Sequence, residues 1–95
     1  MELIWTVWTQ SDGTITLYSK PVKCMLTVFW WTGWDKDMVS ARLWKEENDE
    51  TLMVWNLEHT TEVKAKHIAK AITLANTHIY SSIEAAEDEY KGSRT

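Results

Sequence analysis

"VKCMLTVFWW", Val22 to Trp31, decides the fold. Its residues are mostly β-branched, aromatic or aliphatic, the types that suit a pleated strand. Side chains on a strand point to alternate faces. Val22, Cys24, Leu26, Val28 and Trp30 therefore point one way. Lys23, Met25, Thr27, Phe29 and Trp31 point the other. One set is largely aliphatic and suits a core. The other is aromatic and sulfur-rich. A strand like this belongs to a sheet with two apolar faces of different character.

The same split extends outward from this strand. "LIWTVWT" (3–9) places Leu3, Trp5 and Val7 against Ile4, Thr6 and Trp8. "TITLYS" (14–19) follows the turn signal Asp12-Gly13 and sets Ile15 and Leu17 against Thr14, Thr16 and Tyr18. "TGWDKD" (32–37) reads as a loop around Gly33. "MVSARLW" (38–44) sets Val39, Ala41 and Leu43 against Met38, Ser40, Arg42 and Trp44. "KEENDE" (45–50) is a charged loop, and "TLMVWNL" (51–57) a fifth strand. For this last strand two phases stand open: Leu52 and Val54 face the core, or Met53, Trp55 and Leu57 do. Short connections make an antiparallel meander the simplest topology.

The last third is helical. With ~100° per residue, Ala65, Ile68, Ile72, Ala75, Ile79, Ile83, Ala86 and Tyr90 share one narrow stripe. Lys66, Lys70, Thr77, Glu84 and Asp88 lie opposite. Thr60 or Thr61 is the expected N-cap, with Glu62 in the first turn, where the helix dipole favours an acid. Such a helix is about 45 Å long at ~1.5 Å per residue, whereas a six-residue strand spans only ~20 Å. Either it breaks near "ANTH" (75–78), or it runs on and its second half packs against another chain. The expected fold is thus α+β: an antiparallel sheet of about five strands with one long C-terminal helix on one face. Residues 1–95 form one domain, with sheet 2–58, helix 60–91 and a disordered tail 92–95.

Composition excludes several classes of function. The chain is 44% hydrophobic and 25% charged, which is globular rather than disordered. Residues 1–44 hold four acids and four bases, whereas residues 45–95 hold ten acids and six bases and carry the entire net charge of −4. That balance argues against non-specific binding to nucleic acid or anionic membrane. Cys24 is the only cysteine, so no internal disulfide forms, and a lone thiol suits a reducing compartment. The N-terminus lacks the apolar run of a signal peptide, and no stretch approaches the ~20 apolar residues of a membrane span. The expectation is a cytoplasmic chain.

Chemistry-bearing motifs are scarce. His67 and His78 lie ~16 Å apart along the helix, too far to share one ion, and His59 lacks a companion. All three are expected at the surface or on a flank. "EENDE" (46–50) lacks the spaced ligands and glycine of a calcium loop. Cys24 alternates with apolar neighbours and reads as an inert core thiol. No nucleophile elbow, phosphate loop, HExxH or carboxylate pair is found. No cofactor, metal site or enzymatic activity is expected.

The aromatic sheet face remains. One helix covers one face, so Trp8, Tyr18, Phe29, Trp31, Trp44 and Arg42, with Trp55 in one of its two phases, form a patch that a soluble monomer rarely leaves bare. These are residue types enriched at interface cores. The expectation is a homodimer and a site for a protein partner, with Glu84, Glu87 and Asp88 as a secondary acidic surface. A short acidic chain of this kind has the style of a virus- or mobile-element-encoded inhibitor or adaptor of a host protein, by association only. The alternative is a platform that stacks single-stranded nucleic acid on the same aromatics. It lacks a positive groove.

Overall fold

The computed structural model describes the backbone of residues 3–92 and side chains as far as Ile83. The expected tail beyond Gly92, and the side chains of Glu84, Glu87 and Asp88, lie outside the described residues. Five strands run β1 (Thr6–Ser11), β2 (Thr14–Ser19), β3 (Cys24–Gly33), β4 (Lys36–Lys45) and β5 (Thr51–Glu58), followed by helix α1 (Ala65–Gly92). The strands form one antiparallel sheet in sequence order. The fold is α+β, a meander sheet with one C-terminal helix. Among the described residues no helix is long and apolar enough to cross a membrane.

The register places the aliphatic set in cross-strand rows. Leu17, Leu26, Leu43 and Met53 form one row. Ile15, Val28, Ala41 and Trp55 form the next. The helix crosses over β3, β4 and β5 and lowers Ala71, Ala75 and Ile79 onto these rows. Ala71 and Ala75 are fully buried; their short side chains let the helix backbone come close to the sheet. Leu26, Val28, Val39 and Leu43 are also fully enclosed. Each such side chain contributes about 1.5–3 kcal/mol of burial. The helix continues through Asn76 without a break. Asn76 is on the buried flank because its Oδ1 accepts the Trp5 indole N–H at 2.8 Å, which ties the N-terminal segment to the helix.

Three expectations change and one open alternative closes. Helix α1 starts at Ala65, not near Thr60, and its first turn contains no acid. Residues 59–64 are used in crossing from the sheet end to the helix face. The cap is assembled differently. The Lys64 backbone N–H donates to His67 Nδ1 at 2.9 Å, and His67 Nε2 meets Glu58 Oε1 at 2.8 Å. A backbone N–H can only donate, so Nδ1 is unprotonated and the ring proton sits on Nε2, donated to Glu58. His67 is therefore 3% exposed, not a surface histidine. Glu58 brings the missing negative charge to the helix N-terminus from β5.

The phase of β5 is also settled. Regular pairing of Leu43 with Met53 and of Ala41 with Trp55 puts Met53 and Trp55 on the core face, and at the register shifts to either side Leu52 and Leu57 pack against the core as well. Trp55 thus leaves the open aromatic face and meets His78 edge-on, with ring centroids 6.4 Å apart. Finally, the expected loop 32–37 is a tight turn: β3 and β4 pair as far as Gly33↔Lys36, leaving only Trp34 and Asp35 between them.

Hydrogen bonds from Lys66 and His67 hold the Glu58 carboxyl down from 4.5 to about 2. A carboxyl lowered on folding stabilises the protein fully above its unfolded value, and that contribution is lost as pH falls through the folded one. Glu58→Gln should therefore lower stability at neutral pH and flatten its decline between pH 4.5 and about 2. Urea unfolding at a series of pH values checks this; parallel pH profiles for variant and wild type would remove the role assigned to Glu58.

Candidate functional site

On the face away from the helix, polar and aromatic residues are layered. Thr16, Thr27, Arg42 and Val54 form a row across the sheet, and Thr14, Phe29, Ser40 and Asn56 form the next. The flanking row carries Tyr18, Met25 and Trp44, and on the far side Trp31 pairs with Met38. The indoles reach inward over the hydroxyls. Trp44 Nε1–H donates to Thr27 Oγ1 at 3.0 Å, which lies 3.1 Å from Thr16 Oγ1. Trp31 Nε1–H donates to Ser40 Oγ at 2.8 Å, and Ser40 donates onward to Asn56 Oδ1 at 2.8 Å.

These bonds fix the rings against the sheet. Gly33 makes room for one of them: a Cβ there would stand 2.8 Å from Trp31 Cζ3. Arg42 sits 5.1 Å from the centre of the Trp44 ring, within cation–π range. Its Nε donates to Thr51 Oγ1 at 2.6 Å and its Nη2 to the Asp49 carbonyl at 2.8 Å. Trp8, displaced by a register shift in β1, tilts against Tyr18 at 5.9 Å. The Tyr18 hydroxyl donates to Glu46 at 3.1 Å. Met25, Thr16 and Ser40 are buried on this face although the helix is on the other side. Part of the face is thus covered by its own side chains.

Trp8, Tyr18, Phe29, Trp31, Trp44 and Arg42 share the open face, as the alternation implied; Trp55 does not. Tyr18, Phe29 and Trp44 are half-buried, so the accessible indoles are Trp8 and Trp31. The largest exposed aromatic was hidden in the assumed loop. Trp34, at the β3–β4 tip, is 96% exposed. Its backbone φ is 54° and that of Asp35 is 62°. Two central residues with positive φ are the signature of the type I′ hairpin turn, which favours Asn-Gly or Asp-Gly. Asp tolerates the left-handed region, whereas Trp is a genuine outlier there. The available signal was an exposed Trp-Asp pair joining two strands that alternate in phase.

Little reactive chemistry accompanies these rings. Burial pushes the Cys24 thiol up, partly offset by Lys45, and Sγ contacts the Val22 carbonyl at 3.4 Å. The 46–50 loop is held by Lys45–Glu50 at 3.5 Å and by the Asn48 side chain accepting the Glu50 N–H. His59 Nδ1 lies 3.2 Å from the Asp37 carbonyl beside an open polar cleft of about 450 Å³. No group of three His, Cys, Asp or Glu able to hold a metal ion occurs among the described residues.

The left-handed backbone at a bulky residue costs about 1–2 kcal/mol. Replacing Trp34-Asp35 by Asn-Gly should therefore raise stability by about 1–2 kcal/mol while keeping the fold. Thermal and urea unfolding measure it; an unchanged or lower midpoint would mean that the tip is unstrained. Comparison of the chain with protein-family models, curated proteins and solved structures finds no match.

Proposed function

We propose that the chain is a non-enzymatic protein-binding module. Its contact surface is the open sheet face, bounded by Trp8 and Trp31 and extended by Trp34 at the hairpin tip. The observation that carries this reading is Trp34, 96% exposed on a left-handed turn. Backbone strain persists where surrounding structure enforces it, and it concentrates at functional positions. Here the ladder from Cys24↔Lys45 to Gly33↔Lys36 enforces the turn. The long ladder fixes the backbone from which this indole projects.

The partner that fits is a protein surface with an apolar pocket wide enough for an indole. Asp35, Lys36 and Asp37 beside Trp34 give the pocket's rim a mixed polar character. Single-stranded nucleic acid fits less well. The residues 1–44 that form most of the sheet have no net positive charge, and Arg42 already serves Thr51 and Asp49. Nothing in the site supplies a nucleophile paired with a base, which supports a binding role over catalysis.

Large aromatics that become desolvated on binding commonly carry ~2 kcal/mol or more. Trp34→Ala should thus weaken partner binding about thirtyfold, and Trp31→Ala comparably, at ~1.4 kcal/mol per decade. Wild type and variants immobilised side by side, with captured proteins then measured by surface plasmon resonance, give the numbers. Equal affinity for wild type and both tryptophan variants would sink the reading. Quenching of tryptophan fluorescence by a single-stranded oligonucleotide, lost as salt rises, would favour the nucleic-acid alternative.

A further inference from the structure

We propose that β1 is the seam of a symmetric dimer, in which two copies of the chain pair β1 with β1 antiparallel and join their sheets into one. This surface shares Trp8 with the face assigned to partner binding but does not include Trp31 or Trp34. β1 is bonded to β2 on one side only and is an outer strand of the sheet. All six of its residues are exposed. Outer strands are normally guarded by charge, proline, a bulge or a covering element, because their unpaired N–H and C=O groups recruit other strands; β1 has a bulge at Trp8 but pairs regularly from Thr9 to Ser11. "TVWTQS" contains neither a charge nor a proline, and the helix packs over β3, β4 and β5 instead.

Exposed apolar side chains gather at the same edge. Ile4 is 65% exposed, Val7 59% and Trp8 63%. In a paired seam each would be covered by the neighbouring copy. The register shift between Val7 and Thr9 keeps Trp8 against Tyr18 on the open face, while Thr9, Gln10 and Ser11 continue a regular ladder. The uncharged strand meets itself across a two-fold axis without like-charge opposition.

The distribution of charge selects this edge over the other. The net −4 belongs to residues 45–95, whose described part runs through the β4–β5 loop, β5 and the helix. β5 ends at Glu58 and follows the acidic loop 46–50. Pairing through β5 would bring two acidic halves together. Pairing through β1 brings two neutral halves together and keeps β5, with Glu58, about four strand spacings from the seam, ~19 Å, beyond the ~8 Å screening length at physiological salt.

The test is sedimentation of the full chain from about 1 to 100 µM, a range that brackets a micromolar dimer. Amide hydrogen exchange is measured at both ends of the range. A concentration-dependent dimer is expected, with the β1 amides exchanging more slowly at the higher concentration. Val7→Lys and Thr9→Lys, both at exposed positions, should each weaken the dimer about tenfold or more, while circular dichroism stays unchanged. Trp34→Ala should dimerise like wild type, so partner binding and the seam fail independently. Three outcomes overturn the seam: a monomer throughout, a dimer whose β1 exchange ignores concentration, or a dimer indifferent to both lysines. If a lysine variant fails to fold, the exchange result on wild type decides alone.

Discussion

An indole laid flat on a β-sheet needs an acceptor for its N–H, and much of the open face follows from that need. Trp44 finds Thr27 and Trp31 finds Ser40. Rows that would otherwise be water-facing hydroxyls become buried hydrogen-bond partners. A buried donor left alone costs about 1–3 kcal/mol, whereas a satisfied one contributes about 1 kcal/mol. The sheet's second face is therefore neither a hydrophobic pool nor a solvated surface. It is a thin second layer made by side chains, and it lets one helix suffice for a sheet with two apolar faces. Ser40, with no exposure at all, shows how complete that layer is at its centre.

The sheet was legible because its side-chain period is two and its strands keep phase. Val22–Trp31 alone separated the aliphatic face from the aromatic one, and Ile15, Leu17, Val39, Ala41 and Leu43 obeyed the same division. The phase of Trp55 was not legible. Leu52 and Val54 are as apolar as Met53, Trp55 and Leu57, so alternation marks no core face in "TLMVWNL"; pairing of Met53 with Leu43 and of Trp55 with Ala41 decides it. The helix stripe was readable in the same way, by its period. Its start was not, because the acid beside its N-terminus comes from Glu58 on another element, bridged by His67. Local rules locate caps made from neighbouring residues; this one depends on the fold already formed. For the same reason His67 reads as a flank residue in the sequence and is a buried one in the protein.

The hairpin tip marks a different limit. Turn chemistry identifies turns that obey it, and Trp34-Asp35 does not. Six candidate residues of the open face were correctly grouped by alternation, yet the most exposed aromatic was not among them. Nor could alternation rank the group. Which rings are accessible depends on which indoles lie down over a hydroxyl, and that is set by side-chain packing between rows. Trp44 and Trp31 both lie down, but Trp31 sits at the sheet's end and stays 41% exposed.

The strain at Trp34 is large against the margin that holds such a protein folded. A domain of this size is stable by about 5–15 kcal/mol. A left-handed tryptophan that costs 1–2 kcal/mol forfeits a sizeable part of this. An Asn-Gly tip would meet the backbone requirement at less cost. The long β3–β4 ladder, pairing from Cys24↔Lys45 to Gly33↔Lys36, offsets the cost. A shorter or looser ladder would let the turn relax into a wider loop, and the point from which the indole projects would then shift. The fixed place of the turn's backbone is thus a property of the two strands, not of the turn. The strands are rigid in turn because Leu26, Val28, Val39 and Leu43 are locked under the helix on one face. Their other face is locked by Trp31 and Trp44 through Ser40 and Thr27. The exposed tryptophan stands at the end of a lever whose stiffness comes from both layers of the molecule.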